Sequence, residues 1–175
     1  LAERGAKVIG LDFAPAAARV AWTTNHVPAI CGSLGRSPIA PESCAVVTMF
    51  HVLEHLFDPA SYVEQAHRLL APDGRLIIQV PNAASWQFLL FGQNWNGIDI
   101  PRHLVNFKDS DLVTLVESCG FEVVRRKYFS LRDNPAGMAT SISASLDPMG
   151  RRVRKVPESP ALRVGKDLAY LALTT

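Results

Sequence analysis

The stretch that most constrains this chain is residues 45–58, AVVTMFHVLEHLFD. Ala45 to Phe50 has the length and apolar character of a buried strand. His51, Glu54 and His55 then crowd a polar-edged turn, and Asp58-Pro59 supplies the cap and first position of a helix. A strand that ends in ionisable groups and feeds a helix is how an open α/β sheet presents a site. Ligands of such sheets sit in the crevice outside the carboxyl ends of the strands.

The same alternation recurs on both sides. Leu1 to Gly5 fits a helix end with Gly5 as its cap. Lys7 to Leu11 is a short apolar strand, and Asp12 stands at its carboxyl end. Pro15 suits the first turn of a helix with its body at Ala16 to Thr24. Pro28 to Cys31 is a weak strand, followed by Gly32-Ser33-Leu34 and a loop over residues 35–44. In the helix that Asp58 caps, Val63, Ala66, Leu69 and Leu70 recur on one face. Pro72-Asp73-Gly74 ends that helix, and Arg75 to Val80 is the next strand. Tight turns between alternating strands and helices predict a doubly wound, Rossmann-like, mostly parallel α/β sheet with right-handed crossovers.

Residues 83–108 break this rhythm with Trp86, Phe88, Phe91, Trp95 and Phe107. A helix is expected from Ser85, then an irregular excursion. Asp109 or Ser110 caps a helix with Leu112, Val113, Leu115 and Val116 on its inner side, stopped by Gly120. Phe121 to Phe129 reads as a long strand. Beyond Ser130 the pattern fades into a solvated basic run at Arg151 to Lys155 and a helix from Leu162. The expected organisation is one domain over residues 1–130 and a partly helical extension over 131–175.

Composition narrows the partners. A formal net charge of +2 on 175 residues is too small to argue for nucleic acid or a membrane surface. No apolar run is long enough to cross a bilayer, and no signal peptide is seen. Cys31, Cys44 and Cys119 are scattered, without CxxC or Cys/His ligand spacing. They read as reduced thiols of a cytoplasmic protein, and no metal ligands are assigned. The chain opens without methionine and stops inside the apolar run Leu168 to Leu173. Both ends read as cut.

Seven residues carry candidate chemistry. Asp12, at a strand end, has the right group to accept two hydrogen bonds from ribose hydroxyls; the bland alternative is a cap ahead of Pro15. His51 has an imidazole that titrates near neutrality and suits a general base, against a histidine that only fixes its loop. Glu54 and His55 fit a loop-fixing pair better than an acid and a base. In NWNGIDIPRHLVNF, Trp95, Arg102 and His103 supply a flat wall, a cation and a titratable group, the parts of a pocket for a small polar or anionic molecule. The alternative there is that Trp95 and Leu104 are lid core and Arg102 pairs with Asp99.

Three of these runs carry a resemblance. MFHVLEHLFDP resembles the fourth strand and following loop of class I S-adenosylmethionine-dependent methyltransferases. VIGLDFAP is similar to their second strand, and NWNGIDIPRHLVNF to the loop after strand five in many bacterial members. The likeness spans roughly residues 1–130. It implies that Asp12 and Phe13 meet the cofactor ribose, that Ser33 and Leu34 lie beside the adenine, and that Phe50 and His51 face the methionine side. It implies Trp95, Arg102 and His103 on the substrate side, with His51 and His103 as catalytic candidates. Two departures stand out. Ser33 occupies a position where the family often has aspartate, and Ala45 one where it commonly has a structural aspartate. The family's glycine-rich motif would lie before Leu1. So would its first strand, which sits between its second and fourth. Lys7–Leu11 and Ala45–Phe50 are therefore expected to face a gap or pair directly.

The function expected from the resemblance is methyl transfer from S-adenosyl-L-methionine to a small-molecule or glycan- or lipid-linked acceptor. The element that accepts the methyl group and the oligomeric state stay open. Asp12 fits a nicotinamide-dependent oxidoreductase equally well. A non-catalytic relative acting as a binding module is the third reading, compatible with Ser33 and Ala45.

Overall fold

The computed structural model describes residues 4–95, 97–128 and 141. The expected basic run at 151–155 and the helix from Leu162 lie outside the described residues. The chain divides into two compact units. One comprises Leu1–Phe50, Asp58–Ile78 and Cys119–Phe121; the other holds His51–Phe57, Gln79–Ser118 and the residues from Glu122 on.

The first unit is built from two strand–helix–strand repeats. In the first, β1 (Gly10–Asp12) is followed by α1 (Pro15–Thr23) and β2 (Ala29–Cys31). β1 and β2 are parallel, with Gly10 opposite Ala29, Leu11 opposite Ile30 and Asp12 opposite Cys31. In the second, β3 (Cys44–Phe50) leads through α2 (Pro59–Leu69) to β4 (Leu70–Gln79). The Ser43 amide donates to the Leu69 carbonyl at one end of this pair, and the His51 amide to the Gln79 carbonyl at the other. Residue numbers rise together along both strands, so this pair is parallel as well. Parallel strands need a crossover connection, and the two helices provide it.

The two pairs form separate two-stranded sheets. Among the described residues β1 pairs only with β2, and β3 only with β4. Of the two arrangements expected for the strands at Lys7–Leu11 and Ala45–Phe50, direct pairing is therefore absent. The fold agrees with a partial Rossmann-like sheet.

Helix α2 shows why its sequence folds as it does. The Asp58 carboxylate accepts the Ser61 amide at 3.1 Å, and Pro59 occupies the first turn. An amide left without an intrahelical partner is thus satisfied by the cap. Val63, Ala66 and Leu69 are fully buried, as their spacing predicts. Each large apolar side chain buried in this way contributes about 1.5–3 kcal/mol. Replacing Leu69 with alanine is expected to cost about 2–5 kcal/mol, because the site collapses only partly around the void. Urea unfolding should then show a lower midpoint at unchanged slope. A loss below about 1 kcal/mol would mean that Leu69 is not a core residue.

Two expected elements differ. Helix α2 passes directly into β4, so the strand begins at Leu70 and ends at Gln79 rather than running from Arg75 to Val80. The turn signal at Pro72-Asp73-Gly74 is expressed inside it, with Asp73 at a φ of 62°. The long strand expected at Phe121 to Phe129 does not form over residues 121–128. Apolar alternation alone does not make a strand; its amides and carbonyls need a neighbour, and no described strand lies alongside. Arg126 and Tyr128 reach the Asp109 carboxylate instead, at 3.2 and 3.1 Å. That contact helps to raise the Arg126 guanidinium above its ordinary value, after the larger effect of Tyr128 beside it.

The second unit holds the turn after β3 together with α3 (Trp86–Phe91) and α4 (Asp109–Ser118). Ser85 caps α3 by accepting the Phe88 amide at 3.3 Å. Leu53, Glu54, Trp95, Phe107 and Val116 are among its buried residues. The three cysteines are free thiols. Among the described residues no helix is long and apolar enough to cross a membrane.

Candidate functional site

Each unit gathers one group of candidate side chains. In the first, Asp12 is the last residue of β1. Its Oδ1 accepts the Ala14 amide at 2.8 Å, a local turn ahead of Pro15, while α1 itself has Ala14 at its N-cap and no side-chain cap. Its other oxygen has no partner among the described residues. Phe13 projects its ring beside Asp12, 59% exposed and 6.1 Å from the Tyr62 ring. Ser33 precedes a short 3-10 turn, Leu34–Arg36. Its carbonyl accepts the Arg36 amide at 3.2 Å, while its hydroxyl bonds to no described residue. Leu34 is buried, and Phe50 is half exposed at the end of β3.

Tyr62 was not anticipated. Burial raises its phenol above the ordinary value, and the Leu34 backbone offsets part of that rise. The hydroxyl nevertheless meets no partner at full hydrogen-bond geometry among the described residues, and a contact too long or bent to count stabilises little. The phenol stays protonated at neutral pH and remains a donor. This unit therefore offers an acceptor at Asp12, a hydroxyl at Ser33 and an orphaned donor at Tyr62.

In the second unit the chain leaves β3 through His51, at a φ of 54°. A residue with a Cβ pays about 1–2 kcal/mol in that left-handed region. The turn brings His51 Nδ1 to 3.1 Å from Glu54 Oε1. Gln79 Nε2 lies 3.2 Å from His51 Nε2. An amide nitrogen only donates, so His51 Nε2 is the acceptor and Nδ1–H points at the carboxylate. His55 Nδ1 is 2.9 Å from the Arg102 carbonyl, and His103 Nδ1 is 2.7 Å from the Gly97 carbonyl. Carbonyls only accept, so both imidazoles donate from Nδ1 and keep a lone pair on Nε2. The two rings meet edge to face at 4.8 Å. The Leu104 and Val105 amides close on the Glu54 carbonyl at 2.7 and 3.2 Å, fixing this loop to the turn.

The three residues assigned to the substrate side each take a different partner. His103 joins the Glu54–His55 turn. Trp95 is buried and packs edge to face on Phe88 at 5.7 Å. The Arg102 guanidinium is paired with the Asp99 carboxylate, and both remain partly exposed. Trp95 thus packs as core and Arg102 pairs with Asp99, the plainer of the two expectations for each. Leu104 is exposed, not lid core. Sequence reasoning missed Gln79, a strand residue whose amide engages His51; nothing in its local pattern marks it.

The family model for the methyltransferase domain matches residues 1–126. The chain belongs to the methyltransferase-domain family. A protein of Mycolicibacterium smegmatis, named as a probable S-adenosylmethionine-dependent methyltransferase, is 32% identical over 70% of this chain and 46% of its own length. The ubiquinone biosynthesis O-methyltransferase of Pseudomonas aeruginosa is 30% identical, over 77% of this chain and 62% of its own. The chain thus spans about half to three-fifths of these relatives.

Solved structures agree on the fold of this methyltransferase-domain chain. An S-adenosylmethionine-dependent methyltransferase of Thermotoga maritima, described as a possible histamine N-methyltransferase, superposes with a TM-score of 0.59 at 22% identity. That match covers 68% of this chain and 56% of the other. A [4+2]-cyclase, SpnF, gives 0.58 at 17% identity, covering 96% and 62%. One backbone therefore hosts chemistries with different names, and function has to be argued from the site.

Proposed function

We propose that this chain contributes to an S-adenosylmethionine-dependent methyltransferase acting on a small-molecule or glycan- or lipid-linked acceptor. Family membership over residues 1–126 is the observation that carries this reading. The first unit supports it. The unpaired Asp12 oxygen is suited to ribose hydroxyls, the Ser33 hydroxyl to the adenine amino group, and the exposed Phe13 ring to a flat apolar contact. When bound, S-adenosylmethionine supplies a methyl group made electrophilic by its sulfonium. The protein's part is mainly alignment of the acceptor. For a hydroxyl acceptor, His51 is the group suited to take the proton at Nε2, with Glu54 holding its Nδ1–H. Gln79 occupies that lone pair in this arrangement and has to yield it to the acceptor. Arg102 and His103 are assigned to the acceptor side, in a protein that works in the cytoplasm.

The binding step is directly testable. Saturation-transfer NMR with S-adenosylhomocysteine reads affinities into the millimolar range. Transfer to the adenosyl protons is expected. Asp12→Asn keeps an acceptor for the Ala14 amide but removes the charge. Losing charge-assisted hydrogen bonds of about 1.5–3 kcal/mol predicts roughly ten- to hundredfold weaker binding. No transfer at all to the wild-type chain, or equal transfer to Asp12→Asn, would sink the assignment.

The fold neighbour with cyclase chemistry keeps a second reading open, a cofactor-binding relative without methyl transfer. Transfer of a labelled methyl group to any acceptor excludes it.

A further inference from the structure

We propose that Glu54, His55 and His103 form a binding site for one divalent transition-metal cation of the zinc type. One ligand atom from each of the three lies within 4.8 Å of the others. Two further observations turn this proximity into a site. The first is the Glu54 side chain, which is 1% exposed. Its Oε1 takes the His51 Nδ1–H, but Oε2 is buried without a hydrogen-bond partner among the described residues. Buried carboxylate oxygens are rarely left so, and a cation is one of the partners that satisfies them.

The second observation is the orientation of the imidazoles. His55 and His103 each donate Nδ1–H to a backbone carbonyl, of Arg102 and Gly97 respectively. Metal-binding histidines are held in this way, with one nitrogen anchored and the other lone pair presented. His51, on the outer oxygen of Glu54, orients the carboxylate as an outer-shell partner does. Two imidazoles and one carboxylate suit zinc or its neighbours in the transition series. Calcium and magnesium prefer oxygen-only sets. Three protein ligands leave a position open to water or another donor.

The site alters one earlier expectation. A nitrogen that ligates a metal is no longer available as a base, so His103 becomes a ligand rather than a proton acceptor. The cation would also clamp the 53–55 turn to the 97–104 loop, reinforcing the Leu104 and Val105 amide contacts. This inference does not depend on methyl transfer.

The test is calorimetric titration of the chelator-treated 175-residue chain with zinc chloride. One equivalent is expected. His55→Ala and His103→Ala should each weaken binding at least tenfold, while His67→Gln should leave it unchanged. Cobalt(II) guards against the thiols. Nitrogen and oxygen ligands give weak visible bands, whereas thiolate ligands add intense near-ultraviolet charge transfer. Long-range ¹⁵N NMR of the wild-type chain needs no variant, and the His55 and His103 Nε2 resonances should shift on addition of zinc. Absence of stoichiometric binding would overturn the proposal. So would thiolate bands, unshifted Nε2 signals, or affinity retained in both histidine variants.

Discussion

Gly97→Ala is expected to destabilise the second unit by about 1–3 kcal/mol and to shift the emission of Trp95. A Cβ at Gly97 would fall 2.6 Å from Cε2 of the Trp95 ring, and closer still to Cζ2 and Cη2. Contacts under 3 Å force something to move. Trp95 is hemmed in, 9% exposed and seated against Phe88, so it cannot swing away freely. Overpacking of this kind costs about 1–3 kcal/mol. If the backbone moves instead, the Gly97 carbonyl leaves His103 Nδ1, and that hydrogen bond is worth about 1 kcal/mol. Either relaxation disturbs the loop that orients His103. Trp22 and Trp86 are both half exposed, so a red shift on substitution reports Trp95. Unchanged emission together with a stability change inside about 0.5 kcal/mol, the usual range for a surface substitution, would show that the glycine is not wedged against the ring.

The parts of the molecule that were legible in the sequence are those that local chemistry decides. Asp58-Pro59 specifies a helix start by supplying an acceptor for a free amide and a residue whose missing donor costs nothing there. Val63, Ala66 and Leu69 specify its buried face by spacing alone. Asp12 was placed at a strand end because apolar runs stop at charges. Failure came where the outcome depends on distant partners. Residues 121–128 have strand composition, yet a strand is a pairwise object, and no described neighbour takes their hydrogen bonds. The turn at Asp73 was real, but β4 runs through it because Leu70 already lies beside β3.

The candidate site divides along the same line. His51, Glu54 and His55 were visible as a cluster; the Glu54 carbonyl accepts the Leu104 and Val105 amides, and His55 Nδ1 donates to the Arg102 carbonyl. Their relation to His103 was not visible. Its ring arrives from a segment far along the chain, delivered by the Gly97 carbonyl and the Asp99–Arg102 turn. Motif spacing finds ligands only when they share one helix or one hairpin. Trp95 and Arg102 take local partners: the ring is buried against Phe88, and the guanidinium pairs with Asp99 while staying partly exposed.

Unfolding of this 175-residue chain in urea is expected to give a stability at or below the low end of the usual range, about 5 kcal/mol. Parallel sheets are ordinarily covered on both faces and paired along their interior edges. Among the described residues there are two separately hydrogen-bonded sheets of two strands each, and β1 and β2 have three residues apiece. Val46 and Phe50 on β3, and Ile77 on β4, keep about half of their surface in water. Apolar area left in solvent returns none of the roughly 25 cal/mol per Å² that burial provides. The unpaired strand edges return no ladder hydrogen bonds either. Cofactor affinity should suffer in parallel, because Asp12 sits at the end of a three-residue strand, and a ligand that binds only the folded form must first populate it. The chain should therefore bind an apolar dye such as ANS before any denaturant is added. S-adenosylhomocysteine binding should be weak, and saturating ligand should raise the urea midpoint. Leu69→Ala, at about 2–5 kcal/mol, should then remove a large part of the stability that remains. A single cooperative transition above about 10 kcal/mol, without dye binding, would show that the exposed strand faces cost the fold nothing.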